Sequence, residues 1–235
     1  MYTPSVTGPF PLIRAIAFGP VLFFLIGSIP FGYLVGRLKG VDLRKQGSGN
    51  IGATNVGRVL GKKCAALVFA LDFLKGFLPL FLLNHTIYGW VWRKIIEPYG
   101  WFQLNIYNWP DTPLLMQLMI VLGLLLVIGH DYTPWLRFKG GKGIATSAGV
   151  LAFLTPAVLA VSLTAWIILV AVTRVISIAS LAACVALPLA SLLFYPGQKA
   201  LFVFTFLLGL LGIWRHRGNI ARLRLGTEPR WGKTA

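Results

Sequence analysis

The chain has 235 residues, 57% of them apolar, with a mean hydropathy of +0.76 and a formal net charge of +16 from 22 Lys and Arg against 6 Asp and Glu. Several continuous apolar runs approach bilayer-spanning length and do not alternate with period two, which argues against a water-soluble domain and against a transmembrane β-barrel. What remains is an all-α polytopic membrane protein, one domain over residues 1–235, whose charge calls for anionic partners such as lipid headgroups or phosphorylated compounds.

Residues 1–14 are short, Pro-rich and weakly charged and do not read as a signal peptide, because only Arg14 precedes the first apolar run and that run is too long. Ala15 to Gly36 is the first span. Its Gly27-Ser28-Ile29-Pro30-Phe31-Gly32 stretch offers small residues for close helix contact and a proline placed to kink it. Arg37 to Lys63 is polar. Cys64 to Asn84 is the second span, with Asp72 and Lys75 three residues apart on one face; a structural ion pair is preferred there over a catalytic role. Residues 85–113, rich in Trp, Tyr, Asn and Pro, read as an external aromatic loop.

Leu114 to Gly129 is the third span, ending at His130-Asp131, and is followed by the glycine- and lysine-rich segment Pro134 to Gly143. Ile144 to Val172 is apolar but interrupted at Thr155-Pro156. Val175 to Tyr195 and Ala200 to Trp214 complete the spans, and residues 215–235 form a basic tail. Positively charged loops stay in the cytoplasm. That rule places Arg37 to Lys63 and Arg137 to Lys142 inside and the N-terminus outside. It also places the basic tail inside, but only if the chain reverses at Thr155-Pro156. The arms of that reversal are short, so the expectation is about seven transmembrane or partial-span helices, with the polar segments sharing one face.

The most distinctive polar stretch is Gly47-Ser48-Gly49-Asn50-Ile51-Gly52-Ala53-Thr54-Asn55, bracketed by Arg44 and Lys45 before it and Arg58, Lys62 and Lys63 after it. Glycines let backbone N–H groups turn inward around an anion, hydroxyls and amides add neutral donors, and the flanking cations add charge. The stretch is suited to holding phosphate, although it lacks the GxxxxGK[ST] form of the Walker loop. Arg58 and Lys142 are candidates to clamp a second phosphate. Arg174, Ser177 and Ser180 can supply one charge and two hydroxyls, and His216 and Asn219 share a helical face. Arg222 and Arg224 read as headgroup anchors. Cys64 and Cys184 lie at or within apolar runs and read as small buried residues; no metal spacing, cofactor site or nucleic-acid motif is expected.

GSGNIGATN, HDYTPWLRFKGGKG, RVISIAS and HRGNIARLRLGTE, in that order, resemble the bacterial membrane acyl-phosphate:glycerol-3-phosphate acyltransferases over nearly the whole chain from Gly27 to Glu228. The chain departs from that pattern in a longer 85–113 loop and in lacking the Tyr that often follows the Arg of the third motif. The resemblance implies a seven-helix bundle of the bacterial inner membrane with its active site at the cytoplasmic face. It also implies transfer of an acyl group from acyl phosphate to the 1-hydroxyl of glycerol 3-phosphate, giving lysophosphatidic acid and phosphate. By the same resemblance Ser48, Gly49, Asn50, Gly52, Thr54 and Asn55 hold the acyl-phosphate phosphoryl group. Arg58, Lys139, Lys142, Ser180, His216 and Asn219 serve glycerol 3-phosphate, with His216, Lys142 and Ser180 nearest the chemistry.

The bare sequence fits that chemistry. Both substrates carry phosphate, and an acyl phosphate is already activated, so no covalent acyl-enzyme is needed. There is no His-x4-Asp pair and no GxSxG nucleophile elbow. A general base remains open between His216, His130 or Asp131, and the substrate's own phosphate. The alternative is a transporter of a phosphorylated anion or lipid, which would also want cations and glycine-broken helices. Polar sites clustered at one face and the lack of an internal repeat argue against it. A lipid-binding scaffold is a third reading, and it leaves the Gly-rich stretch without a purpose.

Overall fold

A computed structural model describes residues 10–91 and 113–231. Among these residues there are ten α-helices: α1 (Phe10–Ser28), α2 (Phe31–Leu38), α3 (Ala53–Leu60), α4 (Lys62–Val91), α5 (Pro113–Asp131), α6 (Ile144–Leu154), α7 (Pro156–Thr173), α8 (Ile176–Phe194), α9 (Lys199–Arg215) and α10 (Arg217–Arg224). Five stretches are long and apolar enough to cross a bilayer, one of them made of α1 and α2 together. α9, of 17 residues, passes that test only when counted with α10, from which it is bent by 55°, and α6 is a shorter apolar helix. This is the all-helical membrane architecture of about seven full or partial spans that the hydropathy calls for.

The helices break where proline dictates. Pro30 cannot donate to the preceding turn, so α1 stops at Ser28 and α2 starts at Phe31. Pro156 ends α6 in the same way and opens α7, with Thr155 between them. The two arms joined at Thr155 run in opposite directions. At their far ends, Lys142 bonds Asn219 and the Arg174 carbonyl accepts from the Trp231 N–H at 2.6 Å, so both reach the same C-terminal segment.

α5 is the central post. Along its span 56% of the residues are buried within the protein, against 17% for α7, which turns most of its surface to lipid. Met119, Leu122 and Leu126 of α5 meet Leu80 of α4, Val150 and Leu154 of α6, and Phe204 and Leu208 of α9 in one core. Glycines allow the closest approaches. A Cβ at Gly27 would collide with the Leu126 carbonyl, and one at Gly149 with the Phe73 carbonyl. Without a hydrophobic drive between helices in lipid, such backbone-to-backbone contact supplies much of the packing energy.

One expectation is corrected. The helix starting at Lys62 does not end at Asn84 but continues to Val91, so the proposed external loop loses its first turns to α4. The rest of that loop, 92–112, lies outside the described residues. Within the basic tail Arg217–Arg224 is helical, which puts Asn219 one turn from His216.

Candidate active site

The Gly-rich segment is shaped by one amide. Asn55 is buried. Its Oδ1 accepts from the Ser48 N–H at 2.8 Å, and its Nδ2 donates to the carbonyls of Asn50 (2.8 Å), Gln46 (3.0 Å) and Leu43 (3.3 Å). Gly47 and Gly49 take positive φ values of 57° and 72°, which side chains rarely adopt, and so let the chain curl around that amide. Asn50 Oδ1 accepts from the Gly52 N–H at 2.8 Å, and α3 then begins at Ala53 with no side chain capping it. An uncapped helix start leaves N–H groups for an anion. Thr54 and Arg58, four residues apart on one face of α3, are both exposed beside it, as is Ser48. The structure therefore corrects one assignment: Asn55 spends its side chain on the loop itself and has none left for a ligand. The donors the loop can offer are its backbone, Ser48, Thr54 and the free end of Asn50.

The second half of the site is a chain of charges. Lys142 follows the Gly140-Gly141 bend, and its Nζ donates to Asn219 Oδ1. Asn219 Nδ2 donates to Glu228 Oε1 at 2.6 Å, and Arg222 Nε donates to Glu228 Oε2 at 2.7 Å. The Glu228 side chain is only 3% exposed. Burial pushes its carboxyl up, but the hydrogen bonds from Asn219 and Arg222 outweigh this and hold it below the usual glutamate range. Lys142 moves the other way: burial, with the nearby Arg222, Arg58 and Arg215, brings its ammonium down to about 8, and only Glu228 opposes the shift. Arg58 of α3 likewise feels Glu228 and Arg222, which ties the Gly-rich side electrostatically to the C-terminal segment.

His216 sits at the bend between α9 and α10, 3% exposed. Its Nδ1 lies 2.7 Å from the Gly212 carbonyl, which accepts its hydrogen and leaves Nε2 with a lone pair. Burial and the neighbouring Lys142 lower its pKa to about 4, so the ring is neutral at physiological pH. Next to it, Arg215 bonds the carbonyls of Gly140 and Gly141, at 2.6 Å for the nearest, and fixes the bend that presents Lys142.

The structure brings four segments to one end of the bundle, as the sequence implies: 47–58, 140–142, 174–177 and 215–231. Lys139 is exposed at the rim. Ser180 is the least integrated candidate; it lies on α8 one turn beyond Ser177, buried, and its oxygen accepts from Trp166 Nε1 at 3.2 Å. Two members were missed. Arg222 is not a headgroup anchor, because it pairs with Glu228 inside the network. Glu228 went unassigned, although a single acid in a tail of six bases was a usable signal.

A profile of the glycerol-3-phosphate acyltransferase family matches residues 17–226. The chain belongs to the glycerol-3-phosphate acyltransferase family. The glycerol-3-phosphate acyltransferase of Aquifex aeolicus is 40% identical over 212 residues, covering 90% of this chain and 96% of that one. That of Prochlorococcus marinus strain NATL1A is 39% identical over 219 residues, covering 91% and 98%. The crystal structure of PlsY, an integral membrane glycerol 3-phosphate acyltransferase in its glycerol 3-phosphate form, aligns at a TM-score of 0.74 and 38% identity over 92% of this chain and 94% of that one. Its lysophosphatidic acid form aligns at 0.71. This acyltransferase is thus an integral membrane enzyme that acylates glycerol 3-phosphate, and its polar end has a chemical context.

Proposed function

We propose that the acyl donor is an acyl phosphate and that both substrates meet at this polar end, on the cytoplasmic face of a bacterial inner membrane. The observation that carries the reading is the pairing of two surfaces suited to phosphate. One is the Gly-rich loop and α3 start, with neutral donors; the other is the Lys142 network, with cations. The acids nearby are each matched by a cation: Glu228 by Arg222, Asp131 by Arg215 and Asp42 by Arg44. The Gly-rich side takes the phosphoryl group of the donor, whose acyl tail lies among the apolar helices. Lys142, Arg58 and Asn219 take glycerol 3-phosphate, with Lys139 at the rim.

The glycerol hydroxyl oxygen attacks the acyl carbonyl, the bond from that carbon to the phosphate oxygen breaks, and the hydroxyl proton ends on the departing phosphate. His216 suits a positioning role. Its Nε2 lone pair can accept a hydrogen bond from the glycerol hydroxyl, while a ring protonated only near pH 4 is a weak base. The proton acceptor is the donor's own phosphate oxygen. Ser177, near Glu228, has a hydroxyl available to a ligand, and Ser180 acts on the site through α8 and Trp166.

The test is phosphate release from acyl phosphate by purified protein in lipid. Release that depends on glycerol 3-phosphate and yields lysophosphatidic acid is the expected result; no release, with turnover from another acyl donor, overturns the donor assignment. Single cysteines at Lys139 and Arg217, in a background lacking Cys64 and Cys184, should resist an impermeant thiol reagent added to intact cells, and labelling from outside overturns the orientation.

A further inference from the structure

Lys75 is the centre of a buried polar cluster within the spanning bundle. Its Nζ lies 2.7 Å from Asp72 Oδ1 and 2.8 Å from His130 Nδ1, and it donates to the Ile29 carbonyl at 2.8 Å. Two hydrogen bonds and the ion pair with Asp72 occupy the ammonium. Lys75, Asp72 and His130 are buried, and ionisable groups at such depth are costly enough to call for a purpose. An ion pair with Asp72 explains the charge balance. It does not explain why the ammonium also reaches a carbonyl on α1 and an imidazole on α5.

Each of those reaches leads to one half of the active site. Ile29 is the break between α1 and α2. The same break is gripped from the far side, where Thr133 Oγ1 donates to the Ser28 carbonyl at 2.6 Å and Trp135 Nε1 to Ser28 Oγ at 2.8 Å. Beyond the break, α2 rests on the Gly-rich segment, so closely that a Cβ at Gly32 would collide with the Ile51 carbonyl. In the other direction, the His130 ring occupies the space a Cβ at Gly141 would need. The His130 and Asp131 carbonyls accept the N–H groups of Gly141 and Gly140, both at 3.1 Å. Lys142 is the next residue. The cluster therefore touches the support of both phosphate-facing segments and the ligand-facing groups of neither.

We propose that Lys75, held by Asp72 and His130, is a positioning residue that fixes the two phosphate-holding segments relative to each other, and with them the approach of the glycerol hydroxyl to the acyl carbonyl. This rests on the two-substrate reading above. Each segment keeps its own internal bonds if the other shifts, so each substrate still binds. Reaction needs the two atoms close and aligned, and a displacement of about 1 Å costs on the order of a hundred-fold in rate. The signature is a loss in kcat with both KM values preserved.

The experiment compares the wild type, Lys75→Met, and the double variant Asp72→Leu/Lys75→Met, each in lipid, with thermal stability, kcat and both KM values measured. Lys75→Met strands a buried carboxylate and should lose stability and activity together. The double variant removes the charge problem and should regain stability, because apolar replacement of a buried ion pair is well tolerated. Its kcat should stay about ten- to a hundred-fold down, with each KM within about three-fold of the wild type. A double variant that regains kcat with its stability overturns the proposal, as does one whose loss lies wholly in KM. Should the double variant fail to fold, His130→Asn keeps the ion pair but withdraws the ring from Gly141. The same kcat loss is then expected, and an unchanged kcat overturns the proposal. Wild-type turnover of acyl phosphate is the internal reference: if that is absent, the donor assignment fails and not this one.

Discussion

The two halves of the proposed active site are built by opposite means. The Gly-rich half owes its form to a single neutral side chain: Asn55 ties four backbone groups together, and two glycines at positive φ do the turning. The other half is a relay of charge from Arg222 through Glu228 and Asn219 to Lys142, which stands 77 positions from Asn219 in sequence. The first offers backbone N–H groups whose positions are set by one residue. The second offers an ammonium whose charge and position depend on several. The first should therefore fail all at once and the second by degrees.

Asn55→Ala tests that contrast most severely. It removes four hydrogen bonds at about 1 kcal/mol each, or about 4 kcal/mol if the loop has no other way to satisfy them. If that is expressed in the reaction, activity falls about a thousand-fold. Steady-state kinetics should locate the loss on the acyl-phosphate side, and an Asn55→Ala enzyme near wild type would remove the single-residue account of the loop. Lys142→Ala comes next: a charge-assisted contact of roughly 1.5–3 kcal/mol corresponds to about ten- to a hundred-fold in kcat/KM for glycerol 3-phosphate.

Arg222→Ala should cost about ten-fold or less, since it loosens Glu228 without removing a ligand-facing group, while Arg224→Ala, one exposed turn position away, should be silent. Equal losses from the two would return Arg222 to the role of a headgroup anchor. The smallest effect is a pH dependence. Lys142 loses its proton as pH rises through about 8, so kcat/KM for glycerol 3-phosphate should fall roughly four-fold between pH 7 and 8.5. His216→Gln should retain that limb and keep measurable turnover. A wild-type inflection near 6.5 that vanishes in His216→Gln, with a loss of about a thousand-fold or more in kcat, would make His216 the general base.

The membrane fold was legible because apolar runs and prolines act locally. Pro30 and Pro156 marked their breaks, and the charge rule required a reversal at Thr155 that the structure contains. The convergence of the four polar segments also followed from counting crossings. What could not be read depends on partners far apart in sequence. Asn55 looks like one more polar donor until its three carbonyl acceptors are assembled around it. Arg222 and Arg224 are indistinguishable until Glu228 folds back onto one of them. Asp72 and Lys75 announced an ion pair by their spacing, but the Ile29 carbonyl and His130 are 46 and 55 residues from Lys75. Only α10, short and strongly basic, runs against hydropathy itself; it is held by tertiary pairing.

The two arms that meet at Thr155 are unequal. At 1.5 Å per residue, the 18 residues of α7 reach about 27 Å and the 11 of α6 about 16 Å. With both starting from the same turn and pointing to the same face, α6 ends about 10 Å short of where α7 surfaces at Arg174. Lys142, two residues before α6 begins, is therefore set back along the bundle from Arg174 by about two helical turns. The shorter arm makes a recess in the polar end, floored by the start of α6 and walled by the longer α7, and whatever Lys142 holds is held inside that recess and not on the outermost surface.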